Sequence, residues 1–180
     1  MRHFGTEAPL RGGQSFPYEI VGLLANWQTM PELSRPSYRD FLEELEQTST
    51  QPQAIRALRT LVSRNLGFQL FQEIERAKKH LSRSPTAGLN FVVDGIQIHE
   101  VLTRALFEEL IAPEVARVEA GLWQVLADAG LEPDQVDVVL RTGGTSMVPA
   151  FVALLSNIFG AERVKAMDPL TSVVGGLAVV

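Results

Sequence analysis

Residues Val136 to Phe159 read V-D-V-V-L-R-T-G-G-T-S-M-V-P-A-F-V-A-L-L-S-N-I-F, and the order of structure they encode decides the fold. A β-rich run, Val136 to Arg141, meets Gly143-Gly144, then Thr145 and Ser146, and then an apolar helical pattern with Pro149 near its first turn. The expectation is a strand, a tight loop and a helix N-terminus. Without a Cβ at Gly143 or Gly144 a ligand can come close to the backbone, and the free N–H groups of the following helix favour an anion, so the loop suits a phosphate or a sugar. Glycine-bearing strand-to-helix turns also occur throughout α/β proteins as plain packing elements, so the loop takes its meaning from its surroundings.

Those surroundings are ordinary in composition. At 180 residues the chain can bury a core, as one domain or as two small subdomains. A formal net charge of −5 provides no field to attract nucleic acid or an anionic membrane, and neither is expected as a partner. The absence of cysteine excludes disulfides and thiolate metal sites and leaves a reducing cytoplasm as the default compartment. His3, His80 and His99 are scattered without helical spacing, so no metal centre is expected from them. No segment is long enough to cross a bilayer, and the first residues lack a signal-peptide pattern. The abrupt start M-R-H-F-G, and an apolar run from Ser172 to Val180 with no helix stop, read as the ends of an excerpt from a longer protein.

Along the chain, Arg11 to Gln14 form a loop, and Ser15 is expected to cap a helix running through Trp27. Ser37 starts an amphipathic helix carrying Tyr38, Phe41, Leu42 and Leu45 on one side. From Pro52 one long helix is expected to reach Leu81, because Leu58, Val62, Leu66, Leu70, Ile74, Ala77 and Leu81 recur every three or four residues. Gly67 would sit inside it at a cost of roughly 1 kcal/mol relative to Ala. Glu75, Lys78, Lys79 and Ser82 share a face beside the apolar stripe; taken alone, this is a solvated face with an i,i+4 Glu75–Lys79 pair. Two β-rich runs, Leu89 to Val93 and Ile96 to Glu100, flank Asp94-Gly95, the strongest local hairpin signal. Thr103 caps the next helix, Pro113 kinks or restarts it, and Gly130 ends it. Val164 to Ala166 form a short strand, and Asp168-Pro169 leads to a final helix.

Three motifs then fall in a recognisable order, E-R-A-K-K-H-L-S from Glu75, T-R-A-L-F-E-E-L from Thr103 and L-R-T-G-G-T-S-M-V-P from Leu140, with V-V-G-G-L-A following near the end. Together they resemble the second lobe of the ATPase domain of the 70-kDa heat-shock chaperones (DnaK type), members of the actin and sugar-kinase superfamily. The resemblance implies an α/β fold, half of an actin-like ATPase domain, with a ribonuclease H-like core subdomain and a mostly helical insert. It implies that residues 1–13 begin the core subdomain, 14–102 form the insert with its hairpin at 89–100, and 103–180 resume the core. ATP or ADP would be the cofactor, with magnesium in the full-length parent, and adenine would sit in the seam between insert and core.

By the same resemblance Glu75 is similar to the acid near the ribose and Lys78 to its basic companion. Lys79 stands where the family has an arginine against one adenine face, and Ser82 where a hydroxyl bonds the base edge. Gly143, Gly144 and Thr145 would lie along the ribose and α-phosphate. Met147 replaces the arginine of the other adenine face and Leu170 an acidic residue, and neither lysine nor methionine stacks flat on a ring as arginine does. The family's phosphate loops, catalytic lysine and magnesium-holding aspartates have no counterpart in this sequence. Losing about four charge-assisted hydrogen bonds costs about 6 kcal/mol, or about four powers of ten in affinity.

The expected function is therefore a fragment of an ATP-binding, chaperone-like ATPase that supplies the adenosine side of the cleft and is not competent alone. Its expected partners are an adenine nucleotide, the first lobe of the same domain, and a protein client or exchange factor. A docking module with a degenerate nucleotide seam is the alternative, favoured by Met147 and Leu170. A sugar or acetate kinase of the same superfamily is the third reading, disfavoured by the Glu75 to Ser82 motif.

Overall fold

The computed structural model describes residues 2–6 and 16–167. The loop at Arg11 to Gln14, the cap at Ser15, Leu170 and the final helix expected after Asp168-Pro169 lie outside the described residues. In order, the chain forms α1 (Tyr18–Leu24), α2 (Pro36–Thr48), α3 (Pro52–Ser63), α4 (Gly67–Leu81), β1 (Thr86–Val93), β2 (Ile96–Thr103), α5 (Arg104–Ala129), β3 (Val139–Arg141), α6 (Pro149–Phe159) and β4 (Val164–Ala166). It divides into two compact units, residues 1–76 with 88–101 and residues 77–87 with 102–180, and the division crosses α4, β1 and β2.

The first unit is a helical layer closed by most of a hairpin. Ile20, Leu33, Leu42, Ile55, Leu58, Leu61, Phe91, Ile96 and Ile98 belong to one buried cluster. Each helix contributes residues spaced by three or four and each strand alternate residues, as helix and strand periodicity require. The two-residue turn at Asp94-Gly95 has φ of 48° and 85°, the pair of positive values that a tight hairpin turn needs. The strands are longer than the two apolar runs alone indicate, because pairing continues out to Thr86 and Thr103.

The single helix expected over Pro52 to Leu81 is two helices. α3 ends at Ser63, and Asn65 turns left-handed with φ of 53°. The Leu66 N–H donates to the Leu61 carbonyl at 2.9 Å and the Asn65 N–H to the Val62 carbonyl at 3.1 Å, a Schellman closure in which Asn65 does the work usually given to glycine. Gly67 then opens α4 rather than interrupting a helix, and its missing side chain matters for packing. A Cβ there would lie 2.5 Å from Met30 Sδ.

The first helix is also shorter than expected. α1 ends at Leu24, and Trp27 lies in the turn beyond it, its ring edge-on to Phe68 with centroids 5.6 Å apart.

In the second unit Thr103 caps α5, its Oγ1 accepting from the Leu106 N–H at 3.1 Å. α5 continues without a break through Pro113 and stops at Gly130, which takes φ of 65°. The expected strand from Val136 shrinks to Val139–Arg141, which pairs in parallel with β4 as Val139 to Val164 and Arg141 to Ala166. Residues 136–138 follow a 3-10 turn at Pro133–Gln135 and have no strand partner.

Candidate functional site

The loop between β3 and α6 is held from beneath by its own strand. Arg141, the last residue of β3, donates from Nη1 to the Ser146 carbonyl at 2.5 Å, while Ser146 Oγ donates to the Gly143 carbonyl at 2.8 Å. Arg141 Nε is buried without a hydrogen-bond partner among the described residues. Gly143 takes φ of 84°, a region that favours glycine, and so reverses the chain after the strand. Thr145–Met147 then form one 3-10 turn, closed by the Met147 N–H on Gly144 at 3.2 Å and the Val148 N–H on Thr145 at 3.1 Å. Pro149 follows as the first residue of α6, the position where its missing N–H costs nothing.

Gly144 differs from its neighbour. Its φ of −63° and ψ of −39° suit any residue, so the backbone does not require glycine. Nor does packing, since among the described residues a Cβ on Gly144 or Gly143 would meet nothing within 4 Å. No described residue closes the space over either glycine. Thr145 and Met147 are exposed beside it, Met147 at 49%.

The other expected residues lie at the end of α4. Lys78, Lys79 and His80 fill its last turn, where cations meet the negative end of the helix dipole. Lys79 is exposed and has no hydrogen bond or ion pair among the described residues, so the expected Glu75–Lys79 pair does not form. Ser82, the first residue past the helix, donates from Oγ to the Lys78 carbonyl at 3.4 Å. Arg104 ties down the same helix end, its Nε donating to the Leu81 carbonyl at 2.8 Å. Lys78, Lys79, Ser82 and the Gly143 to Met147 loop belong to the second unit, and Glu75 to the first.

Several charged and polar side chains elsewhere are paired. His3 Nε2 meets Glu100 Oε1 at 2.6 Å and His99 Nδ1 meets Asn90 Oδ1 at 3.1 Å. Between α2 and α3, Arg56 Nε and Arg59 Nη1 donate to the two oxygens of Glu46 at 2.8 and 2.6 Å. Burial pushes the Glu46 carboxyl up, but the hydrogen bonds from Arg59 and Arg56 outweigh it and hold the carboxyl below its ordinary value. Among the described residues, no three His, Asp, Glu or Cys side chains gather to hold a metal ion. The donor set at the diglycine loop is basic and neutral, which fits an anionic ligand and not a bare cation.

Comparison with known proteins gives this geometry a family. A family model described as Hsp70 protein matches residues 57–180, which include both α4 and the diglycine loop. The chain belongs to the Hsp70 family. It is 34% identical over 119 residues to the chaperone protein DnaK of Thermus thermophilus, a match covering 62% of this chain and 19% of that relative. It is 37% identical over 106 residues to heat shock 70 kDa protein 14 of Arabidopsis thaliana, covering 58% of this chain and 13% of the relative. It is 33% identical over 106 residues to heat shock protein hsp88 of Neurospora crassa, covering 58% and 15%. The chain thus spans less than a fifth of the length of these relatives. Its mixture of helices with two small sheets fits an α/β fragment of an Hsp70 ATPase domain. No helix among the described residues is long and apolar enough to cross a membrane.

Proposed function

We infer that this Hsp70-family chain supplies the adenosine side of an ATP- or ADP-binding cleft, as the second lobe of an actin-like ATPase domain. The observation that carries the reading is Gly144, a glycine that neither its dihedral angles nor any packed neighbour demands. A position kept bare with open space above it suits a ligand that lies against the backbone. In this reading Gly143, Gly144 and Thr145 run along the ribose and α-phosphate, and Ser82 bonds the base edge. Lys78 and Glu75 take the ribose side, and Lys79 and Met147 flank adenine. Residues 14–102 are the helical insert, with 1–13 and 103–180 as the core subdomain.

Nucleotide supplies the phosphoryl group, and this chain's residues bind and orient the nucleoside end. The triphosphate tail and its magnesium belong to the other lobe, so this chain alone neither hydrolyses ATP nor holds it tightly. Cytoplasm is the compartment, and the first lobe, a client and an exchange factor are the partners of the parent. Titration of the 180-residue chain with ADP, followed by amide chemical shifts, should move residues 143–147 and the end of α4 in a weak, saturable way. Gly144→Val should abolish the shifts, and Lys79→Glu should weaken them. An absence of shifts in the wild-type chain, and also when the first lobe is added, would leave the docking module with a degenerate seam.

A further inference from the structure

A second place in the molecule is better furnished for an anion than any feature of the nucleotide reading, and it does not depend on that reading. Between α2 and α3 in the first unit lies a cavity of about 600 Å³, lined by Arg39, Glu46, Arg56 and Arg59 among others. None of the expected nucleotide residues lines it.

Its charge is unbalanced. Three guanidinium groups and the Glu46 carboxylate line the wall, and Glu43 Oε2 lies 3.5 Å from Arg59 Nη2 beside it, so three arginines meet two carboxylates and one positive charge is left over in a chain whose formal net charge is −5. Glu46 has only 12% of its side chain exposed and is engaged at both oxygens, one by Arg56 and the other by Arg59. That arrangement locks two guanidinium planes in place while leaving most of their N–H groups unused, because each arginine carries five donors in a rigid fork. Arg39 has no acceptor at all among the described residues, and neither does the Ser34 hydroxyl on the same wall. Thr60 and Ser63 also line the cavity, but their hydroxyl protons are directed to the Arg56 and Thr60 carbonyls. The donors available to a ligand are therefore the arginines and Ser34.

An inter-helix ion pair needs only Glu46 and one arginine. The third, unpaired arginine on the same concave wall is what packing does not explain, and planar guanidinium forks with unused donors match the oxygens of a phosphoryl group in geometry. Arg39, Glu46 and Arg56 also fall outside residues 57–180, the part that matches the family.

We propose that the cavity between α2 and α3 binds the phosphoryl group of a small ligand, with Arg39, Arg56 and Arg59 as its donors and Glu46 as the residue that orients two of them. Inorganic pyrophosphate is the probe, titrated calorimetrically into the 180-residue chain at low salt. Wild-type protein should bind it saturably, with affinity that falls as salt rises. Arg39→Ala, which removes an exposed side chain with no partner, should leave the melting temperature in place and weaken binding about tenfold, the loss of roughly one charge-assisted hydrogen bond. Gly144→Val should bind pyrophosphate as the wild type does. No saturable binding, equal affinity in Arg39→Ala, or loss of binding in Gly144→Val would each overturn the proposal, the last by moving pyrophosphate to the diglycine loop.

Discussion

The two units spend similar apolar sequences in opposite ways. In the first, Ile55, Leu58 and Leu61 of α3 are wholly buried, and seventeen described side chains form one buried cluster. In the second, α5 is the longest helix of the described chain, yet Leu126 is its one buried residue, while Leu110 is 70% exposed and Val125 65% exposed. The apolar residues of α5 are spread around the helix instead of being gathered in one stripe, as in a helix made to be covered on more than one side. A unit that closes its own core contrasts here with one that leaves apolar side chains of its longest described helix exposed.

That contrast is open to measurement, and the largest effect is expected in the first unit. Leu58→Ala should cost about 2–5 kcal/mol in urea unfolding, the ordinary range for a filled core site. Leu110→Ala should stay within about 0.5 kcal/mol. Comparable costs at the two sites would mean that the α5 face is already covered, and the contrast would fail.

A smaller effect separates the glycines of the two units. Gly67→Ala drives a methyl group toward Met30 and should cost about 1–3 kcal/mol. Gly144→Ala meets open space in a helical conformation and should leave stability unchanged or raise it by about 0.5 kcal/mol, while weakening any nucleotide signal. If Gly144→Ala destabilises instead, packing explains that glycine and its argument for a ligand is lost.

Helix ends come next. Asn65→Ala should cost about 1 kcal/mol, because alanine is strained at φ of 53°, and Asn65→Gly should cost nothing. Thr103→Ala should cost about 1 kcal/mol through the lost cap on α5, and thermal unfolding of the three variants ranks them.

The smallest effect is the pH dependence of the first unit. The folded Glu46 carboxyl lies below its ordinary value, so the unfolded state binds its proton first on acidification. Its contribution is complete above the ordinary glutamate range and is lost as pH falls through the folded value. Urea midpoints should therefore decline below about pH 4.5 in the wild type. Glu46→Gln should decline less steeply over the same window, and an identical slope would remove the Arg56–Glu46–Arg59 cluster as a source.

Much of the fold was legible because its signals are local. The Asp94-Gly95 hairpin, the Thr103 cap, the Gly130 stop and the strand-loop-helix around Gly143-Gly144 each depend on a few adjacent residues, whose backbone preferences do not wait for the rest of the fold. The three ordered motifs added a family because their order survives along the chain. The break at Asn65 was hidden because the apolar stripe continues in phase across it: Leu58, Val62, Leu66 and Leu70 follow one another in steps of four, and periodicity alone cannot see a one-residue reversal. An asparagine just before Leu66-Gly67 was the available signal.

What the amino-acid sequence determined by itself was the hairpin, the cap and stop of α5, the strand-loop-helix around the diglycine and the membership of a family, all carried by short-range chemistry. Tertiary structure alone decided which glycine is bare for packing and which is not, since that depends on Met30 standing over Gly67 and no described residue standing over Gly144. It alone also brought Arg39, Arg56 and Arg59 to one wall around Glu46, because residues far apart in the chain acquire a shared charge only when two helices pack side by side.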